Sequence, residues 1–156
     1  NNGPVTTQWP MIKTSVFTLP ENPSMKYYVS KKEMQEGLDR AIILDTRSLN
    51  EYSGKEQKSG AKKAGRIPNS IHIDWAEAID YHGNKKLKPI ETLSSIYSQM
   101  SVGRDRPIWV YCHSGVRSAH TTFVLTQLLD YQNVKNYDGS WTEWSYFDEL
   151  EFEKDI

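Results

Sequence analysis

Four short apolar runs constrain this chain more than any other feature: AIILD (41–45), SIHID (70–74), PIWVYC (107–112) and VKNY (134–137). AIILD is compact in the manner of a strand buried on both faces. Stretches with helical signals separate the runs. SKKE (30–33) is a capping box, with Ser30 as N-cap and Glu33 reaching back, and it opens a short helix to about Asp39. Pro89 introduces a helix through IETLSSIYSQM, and RSAHTTFVLTQLL (117–129) reads as an amphipathic helix. SWTE (140–143) repeats the capping-box pattern ahead of a last aromatic helical turn. Strands alternating with helices predict an α/β fold, a parallel β-sheet with helices on both faces in three layers.

Such sheets gather function at the carboxyl ends of their strands. Asp45-Thr46-Arg47, Cys112 and Asp138-Gly139 all fall at such ends, so one rim is expected to collect them. A chain of 156 residues is long enough for one domain with a sizeable core. Pro4, Pro10, Pro20 and Pro23 crowd the first 23 residues. Residues 1–25 therefore read as a proline-rich extended arm or inter-domain linker, and 26–156 as the folded domain.

The formal charge of -1 gives no reason to expect nucleic acid or an anionic membrane as partner. No apolar run approaches the length of a transmembrane helix, and NNGPVTTQWP is no signal peptide. The compartment stays open, with the cytoplasm as default. One cysteine cannot form an internal disulfide or a multi-cysteine metal site, and His72, His82, His113 and His120 lack zinc-ligand spacing. No metal is expected.

That single cysteine, Cys112, ends a strand just before a helix begins. The N–H groups of residues 113–117 are placed to converge on its sulfur, as at any tight loop feeding a helix N-terminus, and Gly115 supplies the backbone freedom this needs. Lowering a free thiol by about 2 pKa units takes about 2.7 kcal/mol, within reach of several oriented amides and a nearby Arg117. A lone cysteine at a strand end is more commonly a small buried hydrophobe. The glycine and the arginine at this spacing favour a reactive thiolate, able to attack phosphorus or to carry a spare sulfur atom.

Cys112-His113-Ser114-Gly115-Val116-Arg117-Ser118 resembles the active-site loop of the rhodanese family of sulfurtransferases. ILDTRSLNEYSG (43–54) is similar to that family's Asp-x-Arg-x-x-x-Glu-Tyr element, GRIPNSIHID (65–74) to its Gly-His-Ile-Pro-Gly-Ala segment, and NYDGSWTEW (136–144) to its closing Asp-Gly-Gly-x-x-x-Trp element. The resemblance covers about residues 26–147 and, with the arm ahead of it, looks like the catalytic C-terminal half of a tandem rhodanese.

It implies a rhodanese-like fold and transfer of sulfane sulfur, from thiosulfate or a similar small anionic donor to cyanide or a thiol, through a Cys112 persulfide. His113, Ser114, Gly115, Val116 and Arg117 would bind substrate, with Arg117 on the donor's sulfonate and His113 and Ser114 at the pocket mouth. Asp45, Arg47, Glu51 and Trp141 would brace the loop. No cofactor is implied, and a second rhodanese domain in the full-length chain is. Related phosphatases carry five residues between cysteine and arginine, whereas four stand between Cys112 and Arg117. A phosphatase or arsenate reductase, or a non-catalytic module of the same fold, are the alternatives; the shorter loop favours sulfur.

Overall fold

Each apolar run forms a strand, somewhat shorter than the run itself. In the computed structural model, which describes residues 3–22 and 24–155, these are β1 (Ile42–Asp45), β2 (Ile71–His72), β3 (Ile108–Tyr111) and β4 (Val134–Asn136). Asn1, Asn2 and Pro23 of the expected arm, and Ile156, lie outside the described residues. All pairings are parallel, in the order β2-β1-β3-β4. Asp45 stands opposite both His72 and Tyr111, so the carboxyl ends of these strands share one rim. SIHID yields only two strand residues because Asp74 turns to other use: its Oδ1 accepts the Ala76 N–H and caps a 3₁₀ turn, Trp75–Ala78. The outer edge of β4 is covered by residues 27–29, where Asn136 donates to the Tyr27 carbonyl and accepts from the Val29 N–H.

The first helix, α1 (Lys31–Glu36), carries the expected capping box on Ser30 and Glu33 and ends at Gly37, short of Asp39. α2 (Leu49–Ser53) is one that the strand-by-strand reading passed over. Its own capping box, Ser48 with Glu51, follows β1 after a two-residue gap. α3 (Ile90–Tyr97) closes in a 3₁₀ turn, Ser98–Met100. α4 (Val116–Phe123) continues into a π-helical turn, Val124–Leu128, and α5 is Ser140–Trp144.

Side chains alternate along β1 and β3, and this alternation makes two cores. Leu44, Ile108 and Val110 meet Leu93 and Tyr97 of α3 and Val124 and Leu125 of the π-helical turn on one face. Ile43 and Tyr111 meet Met34 of α1 and Trp141 and Trp144 of α5 on the other. Burial of each such large side chain contributes on the order of 2 kcal/mol. Helices thus cover both faces, giving three layers. Residues 3–22 form neither helix nor strand and leave Trp9, Met11, Ile12, Val16 and Phe17 exposed.

Candidate active site

The loop after β3 is held from beneath by α5. Trp141 N–H donates to the Cys112 carbonyl and Thr142 N–H to the His113 carbonyl, at 3.0 and 2.9 Å. Ser140 Oγ accepts from the Cys112 and Gly115 N–H groups, both at 3.1 Å, and donates to the Tyr137 carbonyl at 2.7 Å. SWTE is therefore not a capping box. Ser140 turns inward on a left-handed backbone (φ 53°), the loop carbonyls satisfy the first N–H groups of α5, and Glu143 accepts instead from the Tyr137 hydroxyl. Gly115 also sits in the left-handed region (φ 84°), and a Cβ there would come 2.7 Å from the Asp138 carbonyl. Only glycine lets the loop approach the β4–α5 turn this closely.

Cys112 lies at the bottom of this loop, 1% exposed. Of the amides expected to converge on its sulfur, that of Gly115 is committed to Ser140, while that of Ser114, with that of Ser118 beyond the expected set, favours the thiolate. Ser118 Oγ lies 3.5 Å from Sγ and 2.9 Å from the Gly115 carbonyl. Its single proton can serve the carbonyl beside a thiol and swing to the sulfur beside a thiolate. Burial pushes the Cys112 thiol up, but the Ser118 hydroxyl, the Ser118 and Ser114 amides and the charge of Arg117 together hold it below its ordinary value.

Arg117 is not turned to solvent. Its Nη1 and Nη2 grip Glu51 Oε2 and Oε1 at 2.7 and 2.8 Å, the bidentate geometry that suits guanidinium to carboxylate. Glu51 Oε2 also accepts from the Ser48 N–H and Oγ, at 3.3 and 3.1 Å. One carboxylate therefore serves as both helix cap and counter-ion. Burial raises the Glu51 carboxyl, and its bonds to Arg117 and Ser48 outweigh that, leaving it at about 2.

Beneath lies a second buried pair. Arg47 donates to both oxygens of Asp45 and, at 2.8 Å, to the Gly65 carbonyl, with its guanidinium 4.9 Å from the Trp141 ring centroid. Asp45 Oδ2 accepts the Tyr111 hydroxyl at 2.7 Å, and that hydroxyl accepts the Ile67 N–H. Asp45, Arg47 and Trp141 thus lock the ends of β1 and β3 to the 65–67 segment and to α5.

Of the residues expected at the site, Cys112, Gly115, Arg117 and Glu51 meet around one loop, and Ser114 and Val116 are exposed at its rim. His113 is not at a pocket mouth. The residue is 8% exposed, Nε2 bonds the Ser59 carbonyl at 3.0 Å, and burial lowers its pKa, which disfavours the charged form. Trp141 and Trp144 belong to the core under α5. Part of the basic stretch 53–66 is tied down: Lys62 pairs with Asp148, and Arg66 with Glu153 and Asp155, while Lys55 and Lys58 lie exposed. Sequence reasoning missed Ser140 and the side chain of Ser118. The capping pattern Ser48-x-x-Glu51 was the one available signal that Glu51 sits on a helix. Among the described residues no group of three or more His, Cys, Asp or Glu could hold a metal, and no helix is long and apolar enough to cross a membrane.

The sequence profile of the rhodanese-like domain matches residues 30–146. The sulfur carrier protein TtuD of Thermus thermophilus is 36% identical over 153 residues, which cover 90% of this chain and 52% of that protein. A thiosulfate sulfurtransferase of Corynebacterium glutamicum is 33% identical over 147 residues, 82% of this chain and 48% of that one. The chain thus spans about half the length of these curated relatives. Among solved structures, the anaerobic ergothioneine biosynthesis enzyme of Chlorobium limicola, in complex with trimethyl histidine, superposes with a TM-score of 0.73 at 24% identity, over 84% of this chain and 32% of that one. That likeness establishes the fold alone.

Proposed function

The chain belongs to the rhodanese-like domain family, and on that premise we propose that it is a sulfurtransferase carrying sulfane sulfur as a persulfide on Cys112. The observation that carries this is the sulfur's setting: a buried thiol beside the Ser118 hydroxyl, held below its ordinary pKa by that hydroxyl, two amides and an arginine. A thiolate so prepared is already a nucleophile.

In the first half-reaction the Cys112 thiolate attacks the outer sulfur of thiosulfate or a similar donor. The donor's S–S bond breaks, and the leaving group departs with the electron pair, as sulfite in the case of thiosulfate. The terminal sulfur of the new persulfide rests against the Ser114 and Ser118 amides. In the second half-reaction cyanide or a thiol attacks that terminal sulfur, and Cys112 leaves as thiolate. Ser114, Gly115, Val116 and Arg117 form the binding loop; Asp45, Arg47, Glu51 and Trp141 brace it, and His113 joins them as a bracing residue through Ser59.

Phosphoryl chemistry is less well served. A tetrahedral phosphate asks for several free amides and a cation to balance its charge, whereas the Gly115 amide is held by Ser140 and the charge of Arg117 is balanced by Glu51. We further propose that residues 1–25 are a linker to a second rhodanese domain. The half-length match to the curated relatives and the exposed apolar side chains of the arm support this.

The test is steady-state thiocyanate formation from a sulfane-sulfur donor and cyanide. Wild-type protein is expected to turn over with double-displacement kinetics, and Cys112→Ser to fall to background. Persistent activity in Cys112→Ser, or aryl-phosphate hydrolysis without sulfur transfer, would overturn the proposal.

A further inference from the structure

The charge around Cys112 carries information about the donor that composition could not give. The loop's cation is Arg117, which gives one N–H from each terminal nitrogen to Glu51 and has its charge balanced there. Glu51 is not easily pushed aside: its side chain is 4% exposed, and Ser48 holds Oε2 from its N–H and its hydroxyl. Arg47 is cancelled by Asp45. His113 is fixed to Ser59 as a buried ring, and Lys58, which bears on it electrostatically, lies exposed on the neighbouring loop. With Cys112 as thiolate the buried groups beside the sulfur are two negative, Cys112 and Glu51, against one positive, Arg117, and Lys58 stands outside them in solvent.

A dianionic donor approaching this thiolate meets a net negative buried centre, and its oxygens find no guanidinium whose charge is uncompensated. An alkyl persulfide, R–S–SH, brings a reacting end with at most one negative charge and asks for no oxyanion site. We propose that Glu51 is a specificity determinant, selecting low-charge alkyl persulfides over thiosulfate as sulfur donors to Cys112. This rests on the sulfur-transfer reading above and names the donor class for the same site. The step balances without an external oxidant. The Cys112 thiolate attacks the outer sulfur of R–S–SH, the R–S bond to that sulfur breaks, and R–S⁻ leaves with the electron pair. The proton passes from the transferred sulfur to the leaving thiolate, giving R–SH and a Cys112 persulfide anion.

The experiment follows the rate of sulfur loading on Cys112 by intact mass, with benzyl persulfide and with thiosulfate as donors at matched concentration. Wild type is expected to load from benzyl persulfide on the order of 100-fold faster than from thiosulfate, the scale of one unscreened like-charge pair at close range. Glu51→Gln keeps an acceptor for Ser48, removes the charge and frees Arg117, and should narrow that ratio about tenfold or more by accelerating thiosulfate. A readout on unmodified protein covers the case of a poorly folding variant. Raising the salt concentration should accelerate thiosulfate loading of wild type and leave benzyl persulfide loading nearly flat. Equal loading by both donors, slower thiosulfate loading in Glu51→Gln, or thiosulfate loading that falls with salt would each overturn the inference while leaving sulfur transfer intact. Loading by neither donor would instead defeat sulfur transfer itself.

Discussion

Glu51 is the residue whose several duties are most tightly bound together. It caps α2, neutralises Arg117 and, by the inference above, filters donors. Its stability contribution has a definite pH signature. The folded carboxyl sits at about 2, below its ordinary 4.5, so the stabilisation is complete above about pH 4.5 and is lost as pH falls towards 2. The full effect is at most roughly 3 kcal/mol. Urea unfolding at pH 7 should therefore find Glu51→Gln markedly less stable than wild type, with the gap closing as the pH is lowered below 4.5. A gap that stays constant down to pH 3 would mean that the ion pair contributes no net stability. At this scale much was legible in the sequence. Cys112, Gly115 and Arg117 announce a tight loop by identity and spacing. The engagement of Arg117 by Glu51 was not legible, because 66 residues separate the two and only the β1–β3 pairing brings them together.

Among the elements, α5 shows best where local pattern and tertiary structure part. SWTE satisfies the capping-box rule, yet the first N–H groups of α5 find better acceptors in the carbonyls of Cys112 and His113. Ser140 is thereby released to bind two amides of the cysteine loop. A rule that sees four consecutive residues has no access to a loop 28 residues upstream. The same rule succeeds at α1 and at α2, where Ser30 and Ser48 keep their bonds to the N–H groups of Glu33 and Glu51 even though Lys135 and Arg117 reach the same carboxylates. Ser140→Ala should leave the Cys112 and Gly115 amides buried and unpaired, at a cost of about 1–3 kcal/mol. Chemical unfolding measures that loss. Because the loop would also loosen, the Cys112 alkylation rate should shift in its pH midpoint, which a purely structural serine would not alter. An unchanged midpoint in Ser140→Ala would limit the residue to a stabilising role.

At the scale of the whole molecule, a three-layer fold stands beside residues 3–22, which form neither helix nor strand. Parallel pairing and the common rim follow from alternation of apolar runs with helices, so that much of the architecture was legible in the sequence; the order β2-β1-β3-β4 was not, because alternation does not say which strands become neighbours. Nor were strand lengths, since Asp74 had two possible uses and only packing chose the cap. The arm's described side chains are exposed, and the one hydrogen bond recorded in it between residues 3 and 22 is local, from Gln8 N–H to Thr6 Oγ1. Removal of residues 1–22 should accordingly leave the unfolding midpoint and Cys112 loading unchanged within error. A clear loss of stability would show that the arm packs on the domain in solution.

The most direct measurement is the intact mass of the protein after brief exposure to excess sulfane-sulfur donor and desalting. A gain of one sulfur atom, located on Cys112, discharged by cyanide as thiocyanate and absent from Cys112→Ser, is the predicted result. Protein that stays unmodified with persulfide and thiosulfate alike, or that takes up sulfur elsewhere, contradicts a persulfide carried on this loop.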